Sequence, residues 1–295
     1  MRPGRSGAVA AAIAIFYIFL WASAYVPSKI ASVESPPLWF LAVRFLGAGA
    51  ILALVAIAAR SRFPASWRGW LLAGAIGVFA NSIYLGCTYV AMHRMSAGMG
   101  AIVASTNPLV LALLAPRFLG ERLTWWKALG LALGFGGVIL LVEDRSGTSF
   151  ALPRDVLLAF AGVLSSVVST LLYKRFGTTQ SLLAINAIQL FVAGLAMIPA
   201  ALLAYGFSTA VFSLHPSAEL IASYIYLVLV LSVGASLIWF WLLRHGEASR
   251  VTAFYYLTPV FGLALSAALL HEPIGWHDAF GLAAIAAGIS IVQRS

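Results

Sequence analysis

The stretch "LWFLAVRFLGAGAILALVAIAA" runs for 22 residues from Leu38 with one charge in it. An α-helix crosses the hydrocarbon of a bilayer in about 20 residues. No water is available there to bond a backbone, so only helices and closed barrels can span. The apolar run is continuous rather than alternating, which favours a helix over a barrel strand. Nine further runs of this kind follow or precede it. The ten expected spans lie at roughly 8–28, 37–59, 69–92, 97–116, 125–142, 155–173, 181–205, 219–243, 250–270 and 276–292. Composition agrees: 62% of the 295 residues are hydrophobic and 9% charged, against about 25% charged in soluble domains. The expected fold class is an all-α integral membrane protein of ten transmembrane helices.

The net charge of +9 does not describe a nucleic-acid surface. The basic residues punctuate the gaps between apolar runs, as membrane loops do. With the N-terminus placed in the cytoplasm, thirteen Lys and Arg fall in inside segments and four in outside loops. That bias predicts cytoplasmic N- and C-termini and a cell (inner) membrane location. Arg2, Arg5, the apolar run and Ala22-Ser23-Ala24 resemble a secretory signal, but cleavage there would leave nine spans. Cys87 is the single cysteine. It excludes an internal disulfide and a cysteine metal cluster, and no cofactor or metal site is expected.

A phrase occurs twice: "GERLTWWKALG" from Gly120 and "HEPIGWHDAFG" from His271. Glu121 and Glu272, Trp125 and Trp276, Gly130 and Gly281, Pro108 and Pro259, and Gly137 and Gly288 all stand 151 residues apart. Earlier in each half the offset is 145, pairing Lys29 with Lys174, Arg44 with Gln189 and Gly49 with Gly194. A longer loop near Ser208–Ser217 accounts for the slip. The reading is two five-helix units, 1–145 and 150–295. Because five is odd, the second copy enters the membrane from the opposite side. The positive-inside rule then explains why Arg122 and Lys127 of the first copy become Pro273 and Asp278 in the second. Inverted repeats can exchange conformations and open a central site to one face and then the other.

The motifs "WASAYVPSKI", "PPLWFLAVRF", "YVAMHRMSAGMGAIVASTNPLV" and "GERLTWW", with the echoes "RHGEASRVTAFYYLTPVF" and "HEPIGWHD", resemble the drug/metabolite transporter superfamily in its ten-span EamA-like branch. The resemblance covers nearly the whole chain and says little about substrate. It implies export or exchange of small metabolites such as amino acids. It also implies a central cavity lined by spans one to four and six to nine, with spans five and ten packed at one end.

Arg44 is the only basic residue well inside an apolar run, about 10 Å by helical rise from the outer end of span two. It is either a cavity cation that meets a carboxylate or an arginine that snorkels or caps carbonyls. Its repeat-mate Gln189 is neutral. Asn107-Pro108 and Thr258-Pro259 are mates in spans four and nine. Proline frees the carbonyl four residues back, so each pair is a polar point and hinge near the midplane, or a plain packing kink. Asn81 with Tyr84 in span three, Trp21, Ser23 and Tyr25 in span one, Trp239 in span eight and Tyr255 in span nine complete the candidate substrate contacts. Gly130, Gly134 and Gly137 face Gly281, Ala284 and Gly288 in the expected packing of spans five and ten; a homodimer contact is the other reading, so the chain is expected to be a monomer or homodimer.

The spans hold no clearly central Asp, Glu, Lys or His, which favours facilitated diffusion or exchange over proton coupling. No phosphate-binding loop or hydrolase motif is present. The expected function is secondary transport of a small metabolite by alternating access, not catalysis. The competing readings are a membrane-embedded enzyme, using His93, Arg94, His271, Glu272, His277 and Asp278, and a lipid scramblase.

Overall fold

The computed structural model describes residues 5–92, 103–143, 153–177, 180–206, 217–261 and 276–295. Among them there is helix and no strand. The helices are α1 (Arg5–Ser23), α2 (Tyr25–Glu34), α3 (Pro37–Ala58), α4 (67–92), α5 (Asn107–Leu119), α6 (Trp125–Glu143), α7 (Pro153–Phe176), α8 (Leu182–Tyr205), α9 (218–245), α10 (Ala248–Ala253) and α11 (Trp276–Arg294). Five helices are long and apolar enough to cross a bilayer: Pro37–Ala58, Trp67–Ala91, Arg154–Phe176, Leu182–Tyr205 and Ala218–His245. The outward surface is apolar, as lipid requires: Leu203 is 89% exposed, Leu113 69% and Leu157 68%. Trp125 and Trp276, a repeat pair, are both exposed at the starts of α6 and α11, where tryptophan suits the water–lipid boundary.

Local chemistry sets the ends. Pro37 opens α3 in its first turn, where a missing N–H costs nothing. Ser66 and Ser217 accept the first free N–H groups of α4 and α9, from Gly69 at 3.3 Å and Leu220 at 2.9 Å. Gly120 closes α5 at φ +69°, a left-handed turn that other residues resist.

Three expected spans are interrupted. Span one turns at Ala24 between α1 and α2. Span four turns at Ser105–Thr106, so Asn107-Pro108 begins a helix rather than kinking the middle of one. In span nine α10 passes through a tight 3-10 turn, Phe254–Leu257, before Thr258-Pro259. Parts of spans four and nine and the loops around them lie outside the described residues. Spans three and eight are continuous but widen into π-helix at Val78–Ile83 and Leu227–Ala235.

Two helix pairs form the spine. α3 packs along α8, and α6 along α11. Both crossings are built on glycine. A Cβ at Gly49 would stand 2.5 Å from Phe191 N, and one at Gly194 2.7 Å from Leu46 N. A Cβ at Gly130 would stand 2.7 Å from Gly288 O, and one at Gly137 2.7 Å from Gly281 O. Residue numbers rise on one helix as they fall on the other, so each pair runs antiparallel. Small residues at this spacing let backbones touch, which is what association in lipid rewards. Other pairings also cross between halves. The second part of α4 packs on α7, while α9 packs on α1 and α2. One buried core lies between α3 and α8, around Leu41, Phe45, Leu52 and Leu190. The larger one, around Tyr17, Tyr173, Tyr256 and Leu243, joins α1, α7, α9 and the Phe254–Leu257 turn.

Candidate functional site

Arg44 projects from α3 into the interior and is 5% exposed. Its Nε donates to Ser232 Oγ at 2.9 Å and its Nη1 to Tyr89 Oη at 3.5 Å. Tyr89 in turn donates to Ser28 Oγ at 2.7 Å, which leaves its lone pairs free to accept from Arg44. No carboxylate pairs with Arg44 among the described residues. Buried charge without a countercharge is costly in lipid and marks ion or substrate pathways.

Arg44 lines a partly open cavity of about 60 Å³. Tyr17, Trp21, Asn81 and Tyr84 line it from the first half of the chain; Ser166, Ser169, Ser232, Ser236, Trp239 and Tyr255 line it from the second. One wall is aromatic. Trp21 and Tyr84 lie nearly parallel, 8° apart with centroids 6.4 Å apart. Tyr17 stacks on Trp239 at 5.4 Å, and Tyr255 meets Tyr17 edge-on. The phenols of Tyr17 and Tyr255 bond each other at 3.0 Å, which uses one of their two O–H donors; the rest of that wall is aromatic ring.

The two π-helical segments also line the cavity. Asn81 lies in one and Ser232 in the other, 151 residues apart, which makes them repeat mates. A π-turn leaves carbonyls poorly served by the helix itself, and such turns gather at functional sites. Hydroxyls take up the slack: Ser165 donates to Phe79 O at 2.7 Å and Ser236 to Ser232 O at 2.6 Å.

The sequence-derived candidates divide. Arg44, Asn81, Tyr84, Trp21, Trp239 and Tyr255 meet at the cavity. Ser23 is turned away: it donates to Leu20 O at 2.7 Å and bonds Tyr226 Oη at 2.6 Å. Asn107 stands one layer behind, donating to Ser166 Oγ at 3.2 Å. Thr258 is not among the lining residues, and its Oγ1 is buried with no partner among the described residues. Gln189 is fully buried where α8 crosses α4 at Gly77, away from Arg44's cavity. The side chains of Tyr25, His93, Arg94, His271, Glu272, His277 and Asp278 lie outside the described residues.

Sequence reasoning missed Tyr17, Tyr89, Ser166, Ser169, Ser232 and Ser236. Only Ser232 carried a signal, as the mate of Asn81.

It also missed what the repeated phrase does. In "GERLTWWK", Gly120 ends α5, and Thr124 caps α6 by accepting from Lys127 N at 3.1 Å. Glu121 accepts from Ala248 N at 2.7 Å, Ser249 N at 3.2 Å and the Ser249 hydroxyl. Lys127 Nζ reaches Glu247 Oε2 at 2.7 Å, and Arg250 Nε lies 3.2 Å from the same oxygen. Lys174 Nζ caps the end of α9, donating to Leu243 O at 2.9 Å and Gly246 O at 2.6 Å. One end of the bundle is thus closed by ties between the halves.

Two stretches, residues 8–143 and 154–294, match the model of the EamA-like transporter family. The chain belongs to that family. It is a membrane protein of a transporter family. EamA-like relatives span nearly its whole length. It is 28% identical to the uncharacterized transporter YvbV of Bacillus subtilis (strain 168), over 94% of this chain and 89% of that one. It is 27% identical to the uncharacterized inner membrane transporter YedA of Escherichia coli (strain K12), over 95% and 89%. A probable amino-acid metabolite efflux pump of the same strain is also 27% identical, over 95% and 93%. A solved crystal structure superimposes with a TM-score of 0.78 at 20% identity, covering 96% of each chain; it shares the fold.

Proposed function

We propose that this EamA-like protein is a secondary transporter of the cytoplasmic membrane that exports amino acids or related small metabolites by alternating access. The observation that carries the reading is the cavity itself. It is lined by residues of both halves and holds a buried cation amid apolar helices. A site shared by two halves is what a rocking motion can expose to either face.

Inversion of the halves is supported by the spine. Repeat mates α3 and α8, and α6 and α11, run antiparallel. Parallel repeats would set each pair of mates in the same sense. The crossed contacts of α4 with α7 and of α9 with α1 and α2 fit a two-fold relation in the membrane plane. Both termini then lie in the cytoplasm.

Each residue has a role in this reading. Arg44 meets the carboxylate. Asn81, Trp21, Tyr84, Trp239 and Tyr255 form the rest of the pocket. Asn107 and Thr258, beside Pro108 and Pro259, sit at the breaks where spans four and nine flex, while Ser23 ties α1 to α9 through Tyr226 and Gln189 packs where α8 crosses α4. The named efflux relative supports amino acids as the first substrates to try. The test is counterflow in proteoliposomes preloaded with individual unlabelled amino acids. Labelled solute accumulates above protein-free vesicles if the reading is right. Lipid movement without solute movement would favour the scramblase reading instead.

A further inference from the structure

We infer that the cavity selects a monoanionic carboxylate with a flat aromatic body over the zwitterion of an amino acid. The inference rests on the reading of this cavity as the substrate site, and within the small metabolites of that reading it ranks aromatic monocarboxylates ahead of amino acids.

The charge follows from what surrounds Arg44. Its two bonded partners, Ser232 and Tyr89, are neutral hydroxyls. An arginine carries five N–H donors and stays protonated, so a positive charge and donors remain for a guest. Among the described residues, none that lines the cavity is acidic. A bound carboxylate neutralises the site. A zwitterion leaves it with a net positive charge and sets an ammonium beside a guanidinium with no carboxylate to receive it. Aromatic faces can host an ammonium, but weakly compared with a countercharge. A cation is worse on both counts.

The shape follows from the aromatic wall. Tyr17 and Tyr255 bond each other through one hydroxyl proton. Trp21, Tyr84 and Trp239 present ring faces in nearly parallel or tilted stacks. Such a surface gains most from an offset-stacked or edge-on ring. Short carboxylates satisfy Arg44 and leave the wall unused.

The experiment titrates purified full-length protein in detergent with phenylacetate, phenylalanine, phenethylamine and acetate, against protein-free micelles. Phenylacetate is expected to bind at least tenfold more tightly than phenylalanine or acetate, and phenethylamine not at all. Arg44→Gln is expected to weaken phenylacetate at least tenfold. Trp239→Ala is expected to weaken phenylacetate and leave acetate unchanged. Because a buried arginine can matter for folding, Arg44→Lys is measured beside it; it keeps the order of preference at lower affinity. The wild-type series stands without any variant. Phenylalanine binding as tightly as phenylacetate, no binding of any anion, or an Arg44→Gln protein that binds phenylacetate normally would each overturn the inference. Counterflow separates the two readings. Amino acids that exchange while phenylacetate fails to bind remove the selectivity and leave the carrier. Phenylacetate that binds without any solute exchanging keeps the anion site and removes the carrier.

Discussion

The ammonium of Lys127, with its side chain 4% exposed, lies 2.7 Å from the carboxylate of Glu247, which is 44% exposed. The pair joins α6 of the first half to the loop before α10 of the second. Its two members do not have equal claims on each other. Glu247 keeps water and Arg250 when Lys127 is removed. Lys127 keeps neither water nor a countercharge when Glu247 is neutralised. Glu247→Gln is therefore expected to cost about 2 kcal/mol and Lys127→Met distinctly less. The double variant should recover most of the loss. Thermal midpoints in detergent decide it, and equal losses for the two single variants would contradict the argument.

The same pair sets a pH response. Burial pushes the Glu247 carboxyl up, but the Lys127 ammonium and then the Arg250 guanidinium outweigh it and hold the pKa below the ordinary glutamate range. A carboxylate with a depressed native pKa contributes fully above its unfolded pKa and is lost as pH falls through the native one. The gap in thermal midpoint between wild type and Glu247→Gln should hold steady from pH 8 to about 5 and close below about 4. A gap that closes between pH 7 and 6 would mean that a different group titrates.

What the sequence revealed and what it hid follow one physical line. Arg44 was legible because one charge in an apolar run has no cheap explanation. The glycines of α6 and α11 were legible because their spacing repeats across the halves. Ser236 was not, because a serine in a span can return its hydroxyl to a helical carbonyl, as Ser236 does to Ser232 O, and so leaves no trace of whether it faces a cavity. The π-segments were hidden too. "VFANSI" contains nothing that forbids an ordinary helix, and the widening is matched by a donor from elsewhere, Ser165 to Phe79 O. Gln189 shows where the repeat misleads. Its offset equates it with Arg44, but an equal place along a helix does not fix the neighbour it faces, and the bare backbone of Gly77 lies against α8 there.

The antiparallel crossing of α6 and α11 gives a packing prediction. A Cβ at Gly288 would stand 2.5 Å from Gly130 O and 2.6 Å from Gly134 N. Both are backbone atoms that cannot rotate aside. Gly288→Ala is expected to cost about 1–3 kcal/mol, seen as a fall of several degrees in the thermal midpoint. Gly136, on the same helix as Gly130, has nothing within 4 Å of its added Cβ. Gly136→Ala should leave the midpoint unchanged or raise it slightly, because alanine favours helix over glycine; a loss there as large as that of Gly288→Ala would mean that the close crossing is not what the substitution disturbs.

Pro108 and Pro259 should act on rate rather than on stability. Pro108 occupies the first turn of α5, where its missing N–H is no loss. Alanine there supplies a donor for the Ala104 carbonyl and lets the segments on either side of Ser105–Thr106 join. Pro108→Ala is expected to keep or raise the thermal midpoint and to slow counterflow severalfold, with Pro259→Ala behaving alike. Unaltered counterflow in both would leave the prolines as packing features only.

The arrangement of the halves can be read directly from the two faces of the membrane. Leu123 and Ile274 are equivalent positions in the repeated phrase, 151 residues apart. If the halves are inverted, these positions lie on opposite sides, Leu123 in the cytoplasm beside Arg122 and Lys127. Replacing Cys87, the single cysteine, gives a background in which Leu123→Cys and Ile274→Cys are labelled one at a time. A membrane-impermeant maleimide on intact cells should reach Ile274→Cys at once and Leu123→Cys only after permeabilisation. The charge logic makes this outcome specific, because basic residues are retained near Leu123 and missing near Ile274. Labelling of both from the same side would make the two units parallel, and a site alternately exposed by exchange between inverted halves would then have no structural basis.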